Sequence, residues 1–335
     1  MLGRNAKLAK EAIKMKSILM MKTAQMIVNN SARIQPGENV CIVGDTNTFS
    51  IAKVLAEACY AVGAETVLTI MTPREMHGND PPKVVASAML GADVILAPTT
   101  YAITHTKARL EASKQGARTV ILRSITEDSM IHGAMLADYN EVSATSNKLA
   151  ARLGQAKRIR LVTDLGTDAT FLVEGRGGLA LGGIATEPGK FTSLPSGEAA
   201  VAPLEGKTQG NIIIDFAMDG IGLLSQPIRL EVKDGRVISI QGGKEAQELK
   251  KLLEVDENAF NVAEFAIGTN PKSRMKGNMA EDKILRGCVH IAVGDNHTIG
   301  GKLQSSVHLD GVILNPTVEI DSRLIVKGGM LLPLD

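Results

Sequence analysis

In the first 155 residues, helix-like stretches alternate with short apolar runs that are typical of strands. Apolar positions at helical spacing predict an amphipathic helix over residues 5–30 and three further helices, over 50–62, 83–90 and 107–114. Apolar runs predict strands at 40–43, 66–71, 93–97 and 119–122. Because strands that alternate with helices form βαβ units, this half is predicted to be a Rossmann-like α/β domain with a parallel sheet.

The first strand-to-helix turn of that domain, residues 44–48, reads GDTNT. It has neither the glycine spacing of the dinucleotide fingerprint nor that of the P-loop. The pattern therefore predicts an architecture, and no nucleotide cofactor is expected at this turn.

After residue 155 the pattern changes to short strand-like runs separated by turns. Asp234-Gly235 lies between two such runs and is a strong hairpin signal, Asp321-Ser322 is a weaker one, and residues 244–253 have helical spacing. A glycine-rich stretch, residues 175–189, fits no phosphate-binding spacing and is interpreted as a mobile or tightly turned loop. The sequence thus predicts two domains, 1–155 and 156–335, the second α+β, mostly antiparallel and metal-binding.

Composition narrows the functional classes. The 335 residues have a formal net charge of +1, with scattered Lys and Arg, only 3% aromatic residues and no Trp, so no nucleic-acid partner is expected. The three cysteines have no CxxC spacing, and no apolar run is long enough to span a membrane. A cytoplasmic protein without a membrane partner is the expectation.

The residues that could perform chemistry lie in the second half. Glu264 interrupts an apolar run, where an ionised carboxylate is unfavourable unless it is paired or bound to a metal. His308 and Asp310 are two residues apart, so on a strand both side chains project from the same face. Glu198 follows a Pro-Ser-Gly turn, and His290 occupies an apolar strand. Each residue alone has an ordinary structural explanation, but together they are an oxygen and nitrogen donor set that suits zinc, cobalt or manganese.

Four segments in this order resemble the aminopeptidase T/aminopeptidase S family of metallo-aminopeptidases, which includes leucyl aminopeptidases of thermophilic type: LPSGE, AEFAIGTNP, GCVHIAVGDN and HLD. The resemblance implies two divalent ions (Zn, Co or Mn), short peptide substrates and a homodimer. It implies five metal ligands: Glu198, Glu264, His290, His308 and Asp310. Glu264 or Glu198 would also act catalytically by transferring a proton.

A second branch with similar motifs resembles 2,5-dihydroxypyridine dioxygenase, a mononuclear Fe(II) ring-cleaving enzyme. It shares TEPG, PSG and the paired glycines before HxD. That branch has His where Glu264 stands, and it has no equivalent of Glu198 or His290. On the extra carboxylates the expectation here is a two-metal aminopeptidase, with the dioxygenase as the alternative. His297, where the family has Tyr, keeps open a third possibility, a metal-binding or small-molecule-binding protein without turnover.

Overall fold

The computed structural model describes residues 15–334. The helices are α1 (15–26, continued by a π-helical turn, Ile27–Ser31), α2 (Phe49–Ala61), α3 (Lys83–Leu90), α4 (Lys107–Lys114), α5 (Glu127–Ile131), α6 (Tyr139–Gln155), α7 (Lys244–Leu253) and α8 (Met279–Asp282). The first ten strands are β1 (Asn39–Asp45), β2 (Glu65–Met71), β3 (Val94–Thr99), β4 (Arg118–Arg123), β5 (Arg158–Val162), β6 (Asp168–Leu172), β7 (Leu179–Leu181), β8 (Phe191–Leu194), β9 (Glu198–Val201) and β10 (Gln209–Ile214). The remaining strands are β11 (Ala217–Met218), β12 (Gly222–Leu223), β13 (Ile228–Lys233), β14 (Arg236–Gln241), β15 (Val262–Gly268), β16 (Val289–Gly294), β17 (His308–Ile313), β18 (Thr317–Ile320), β19 (Arg323–Lys327) and β20 (Met330–Leu331).

The described chain divides into two compact units. The first runs to Asn140 and also takes in Gly183–Ser196, whereas the second comprises Glu141–Gly182 and the chain from Gly197 onward. The boundary predicted after residue 155 stays a prediction. Within the described residues, no helix is long and apolar enough to cross a membrane.

The first unit is built on a parallel sheet of five strands in the order β2-β1-β3-β4-β8. Strands β1, β3 and β4 are almost wholly buried, which explains why their sequences are continuous apolar runs. The predicted Rossmann-like parallel sheet is therefore confirmed. Strand β8 was missed, because it returns to this sheet from a distant part of the chain.

The second unit contains two antiparallel sheets. One has eight strands in the order β14-β13-β10-β6-β5-β18-β19-β20, and the other has seven in the order β12-β11-β17-β16-β15-β9-β7. A single apolar cluster draws on both sheets and on α6 and α7. Within it, the rings of Phe171 on β6 and Phe265 on β15 lie 5.2 Å apart. The predicted α+β, mostly antiparallel half is confirmed.

Most local predictions from periodicity and turn chemistry are correct to within a few residues. The hairpins at Asp234-Gly235 and Asp321-Ser322 connect β13 to β14 and β18 to β19. Asp234, Asp321 and Ser322 have positive φ angles, as tight two-residue turns require. The predicted first helix is helical from residue 15, and residues 5–14 lie outside the described part of the chain.

The glycine-rich stretch contains a tight helix–strand contact. A Cβ atom on Gly178 would lie 1.9 Å from the carbonyl oxygen of Ala150 in α6, whereas one on the adjacent Gly177 would have no neighbour within 4 Å. Gly178 directly precedes β7, which pairs with β9. Glycine at 178 therefore lets α6 approach the strand that borders β9.

Gly178→Ala should destabilise the protein by about 1–3 kcal/mol, because backbone atoms must move to relieve the clash. Gly177→Ala, the matched control, should change the free energy of unfolding by less than about 0.5 kcal/mol. Urea denaturation followed by circular dichroism measures both. Equal effects of the two substitutions would contradict the packing argument.

Candidate metal centre

The five predicted site residues lie on four adjacent strands of the seven-stranded sheet. Glu198 lies on β9, Glu264 on β15, His290 on β16, and His308 with Asp310 on β17. Because neighbouring strands are about 4.7–4.9 Å apart, side chains from four of them can meet only if they share one face.

The pairing register puts all five on the same face. Glu264 and Asp310 both pair with Ala292 of β16, from opposite sides. Paired residues of an antiparallel sheet point to the same face, so the two carboxylates flank a methyl group that leaves room between them. Phe265 and Ile291 point to the other face and belong to the apolar cluster. One face of the sheet is thus packed core, and the other carries the polar cluster.

A β-bulge in β15 turns Glu264 towards that polar face. Val262 pairs with Val293, and the next paired residue, Glu264, is opposite Ala292, so Ala263 is the extra residue. Without the bulge, Val262 and Glu264 would point to one face. With it, Val262 packs into the apolar cluster and Glu264 points to the cluster of ligand-type side chains.

The ligand-type atoms converge to within a few ångströms. His308 Nε2 lies 3.2 Å from Glu264 Oε2 and 3.5 Å from Asp310 Oδ1. His290 Nε2 lies 3.5 Å from Glu264 Oε1 and 3.6 Å from Glu198 Oε2. They form two groups whose ligand atoms all lie within 4.8 Å of one another, Glu198–Glu264–His290 and Glu264–His308–Asp310. Glu264 is common to both groups.

Both imidazole rings are held from behind by backbone carbonyl groups. His290 Nδ1 lies 3.0 Å from the carbonyl oxygen of Lys283, and His308 Nδ1 lies 2.7 Å from that of Asp295. Since a carbonyl oxygen only accepts hydrogen bonds, each Nδ1 carries the hydrogen and each Nε2 faces the carboxylates. Outer partners of this kind orient histidine ligands in metal sites.

Several buried polar atoms of the cluster have no hydrogen bond. Such atoms are suited to bind a metal ion, because the ion would replace the missing partners. Within residues 15–334, no hydrogen bond is made by Glu198 Oε2, His290 Nε2 or Asp310 Oδ1, whose ionic neighbours lie 3.5–3.6 Å away. Leaving such atoms buried without a partner is unfavourable. A divalent cation would satisfy all three, so the donor set fits a metal ion.

Lys283 also enters the cluster, and the sequence had not singled it out. Its Nζ donates a hydrogen bond of 2.9 Å to Asp310 Oδ2 and lies 3.5 Å from Glu198 Oε2. A lysine that follows two acids at the end of a short helix ordinarily indicates an exposed helix terminus, so no pattern in the sequence marks Lys283 as buried.

The other acids and the histidine near these motifs lie elsewhere. Glu281 pairs with Arg274 at 3.1 Å, and Asp282 Oδ1 accepts a 2.8 Å hydrogen bond from the backbone N–H of Lys276. His297 is exposed on a short 3₁₀ turn and belongs to neither metal-type group.

The cluster keeps the carboxylates of Glu264 and Asp310 ionised. Burial raises the pKa of Glu264, but the neighbouring imidazoles of His290 and His308 outweigh that effect and lower the pKa to about 2. Burial also opposes ionisation of Asp310, yet the positive charges of Lys283 and His308 hold its pKa well below the usual value of 3.8.

The same contacts favour protonated imidazoles. Burial lowers the pKa of His308, but the neighbouring carboxylates of Asp310 and Glu264 outweigh that effect and raise the pKa to about 11. For His290, burial and the charge of Lys283 lower the pKa, while Glu264, Glu198 and Asp310 raise it further, so the net shift is upward. A metal ion that binds through Nε2 must therefore displace protons.

Comparison with known proteins identifies related chains. The family model described as NicX: 2,5-dihydroxypyridine 5,6-dioxygenase matches residues 21–333. A curated 2,5-dihydroxypyridine 5,6-dioxygenase from Pseudomonas putida KT2440 is 25% identical over 161 residues. That alignment covers 44% of this chain and 46% of the relative, so this chain spans less than half the length of the curated relative it matches.

Two solved structures are similar along nearly their whole length. The structure of 2,5-dihydroxypyridine dioxygenase from Pseudomonas putida KT2440 has a TM-score of 0.80 at 18% identity, covering 93% of this chain and 96% of the other. Wild-type AmpT from Thermus thermophilus has a TM-score of 0.70 at 17% identity, covering 94% and 99%. At these identities the two likenesses concern the fold, which both proteins share with this chain.

The expectation of a metallo-aminopeptidase, and with it the assignment as a hydrolase or protease, is wrong. The family model and the curated relative are dioxygenases, whereas the likeness to AmpT is one of fold. The error lies in taking the number of carboxylates as evidence for a hydrolase. Lys283 pairs with two of the three carboxylates, so their negative charge does not by itself require a second divalent ion.

Metal binding should release protons and become tighter as the pH rises. The pKa of His308 is raised from 6.5 to about 11, so its protonation stabilises the folded protein fully below 6.5, and that contribution is lost as the pH rises through about 11. At neutral pH a metal ion must displace this proton. Calorimetric titration with Zn²⁺ in buffers of different ionisation enthalpy counts the protons released.

His308→Gln should remove at least one released proton, and His297→Gln, the control on the exposed turn, should leave the count unchanged. An affinity for Zn²⁺ that is the same at about pH 6 and about pH 8 would show that the imidazoles do not take part.

Proposed function

The chain belongs to the 2,5-dihydroxypyridine 5,6-dioxygenase family, and from this membership we propose that it is a metal-dependent dioxygenase that opens a dihydroxylated pyridine ring. The substrate class comes from the names of the family and of the curated relative. Cleavage inserts both atoms of O₂ at the broken carbon–carbon bond. The ring itself supplies the electrons, so no separate reductant is consumed.

The observation that carries this proposal is the convergence of imidazole and carboxylate donors with one accessible side. The His308 side chain is 30% exposed, whereas those of Glu264 and Asp310 are 5% and 6% exposed. Non-haem Fe(II) oxygenases typically use two histidines and one carboxylate with open positions, and this group has Glu264 in place of the second histidine. A small ring and dioxygen could both approach from the side of His308.

We assign the ligands of a single ferrous ion to Glu264, His308 and Asp310. These are the three residues of the group that includes the exposed histidine. When bound, ferrous iron supplies the one-electron chemistry that the reaction of dioxygen with an aromatic ring needs. His290 is fully buried, and its Nε2 lies 3.5 Å from Glu264 Oε1 as an ionic neighbour of that carboxylate.

Glu198 is assigned the role of proton acceptor. Its Oε2 makes no hydrogen bond within the described chain and lies on the same face as the proposed ligands. A ring hydroxyl that loses its proton on binding could transfer it to this oxygen. In this proposal Glu264 is a ligand rather than a base. The homodimer and the absence of nucleic-acid and membrane partners stay predictions.

The protein loaded anaerobically with Fe(II) should consume about one O₂ per 2,5-dihydroxypyridine, with both atoms of labelled O₂ retained in the product. Asp310→Asn, which removes a ligand charge, should reduce kcat/KM by about 100-fold or more. The exposed Asp234→Asn in the hairpin turn should leave it unchanged. An oxygen electrode and product mass spectrometry provide the readouts.

If the iron-loaded, folded protein opened no dihydroxypyridine and consumed no oxygen, the proposed activity would be refuted. Equal loss in the two Asp variants would instead refute the assignment of Asp310 as a ligand.

A further inference from the structure

Lys283 places a positive charge within the cluster of the five ligand-type residues. The residue caps the C-terminal end of α8, and its side chain is only 11% exposed. Nζ contacts Asp310 Oδ2 at 2.9 Å and Glu198 Oε2 at 3.5 Å. A lysine head group is rarely found so buried unless it is paired, and here it is paired with two carboxylates.

The distribution of charges divides the cluster into two sides. Glu264 lies between the imidazoles of His290 and His308, at 3.5 Å and 3.2 Å. Glu198 and Asp310 share the ammonium group of Lys283. The positive charge that would otherwise have to come from a second divalent ion on the Glu198–Asp310 side is thus already supplied by the chain.

A second ion and Lys283 cannot occupy this side together. Paired metal ions in hydrolytic sites lie about 3.5–4 Å apart. A dication bound by Glu198, Glu264 and His290 would lie beside the ammonium group of Lys283, which is 3.5 Å from Glu198 Oε2. At such distances in a buried site, repulsion between like charges is large.

We propose that Lys283 is a positioning residue whose ammonium group limits the cluster to one divalent ion, and that removing this charge opens a second divalent site at Glu198, Glu264 and His290. The inference rests on the metal centre of the proposed function. The five ligand-type residues are compatible with either one or two metal ions. In this proposal the charge of Lys283 determines which number binds.

The backbone of Lys283 makes a clean test possible. Its carbonyl oxygen accepts the hydrogen bond from His290 Nδ1, and a side-chain substitution leaves that carbonyl in the chain. Lys283→Met therefore removes the charge and keeps the apolar length of the side chain. Lys283→Gln keeps a hydrogen-bond donor for Asp310, and Lys283→Arg keeps the charge.

The experiment counts metal ions per chain. Wild type and the variants are equilibrated with excess Co²⁺, separated from free metal by gel filtration and analysed by elemental mass spectrometry, with calorimetric titration as a second count. We expect one ion in the wild type, in Lys283→Arg and in the exposed control Lys233→Met. We expect two ions in Lys283→Met and Lys283→Gln.

Two results would overturn the inference. One is a wild type that binds two ions with Lys283 in place. The other is a folded neutral variant, shown by its circular dichroism spectrum, that still binds one ion. If Lys283→Met did not fold, Lys283→Gln and the wild-type count would decide. Because the count needs no turnover, a failed dioxygenase assay leaves it valid, and an active dioxygenase with unchanged counts would overturn only this inference.

Discussion

The compensation of charge within one buried cluster is the constraint on which the second unit depends. Three carboxylates, Glu198, Glu264 and Asp310, are each about 4% exposed. Burial of an ionised carboxylate is unfavourable unless opposite charges and hydrogen bonds replace its water. The imidazoles, Lys283 and an incoming metal ion supply that replacement. Residues that look redundant as ligands are therefore also counter-ions.

The sheet that carries the cluster combines rigidity on one face with space on the other. On the apolar face, Phe265 and Ile291 pack into the core that both sheets share. On the polar face, Ala266 and Ala292 are fully buried and small, so the longer side chains beside them can meet above. Strand pairing fixes the positions of the donors, and backbone carbonyls fix the ring orientations. A metal centre keeps its geometry when its ligands are held in place and the groups that orient those ligands are held in place as well.

Local patterns predicted much of this molecule. Helical periodicity located α4 and α7, turn chemistry located the hairpin at Asp234-Gly235, and the two-residue spacing of His308 and Asp310 placed both on one face. These features depend on neighbours in the sequence, which is why spacing reveals them.

The features that escaped prediction depend on distant contacts. Strand β8 joins β4 across about seventy residues of chain, a pairing that no local pattern specifies. Lys283 meets Asp310 from 27 residues away, and its burial cannot be read from its neighbours. The predicted reaction class is wrong, because the same types of metal ligand serve hydrolases and dioxygenases, and the family match indicates the latter.

The bulge at Ala263 has a consequence for how related chains should be aligned. An inserted residue exchanges the inward-facing and outward-facing positions in the part of the strand on one side of the insertion. The part of the strand on the other side of the insertion keeps its packing in the core. An ungapped alignment anchored at Val262, with a relative that has no such insertion, would superimpose Glu264 on a residue of the apolar core. A gap at position 263 would restore the correspondence, so the identity of the residue equivalent to Glu264 has to be taken from strand pairing rather than from the shortest alignment.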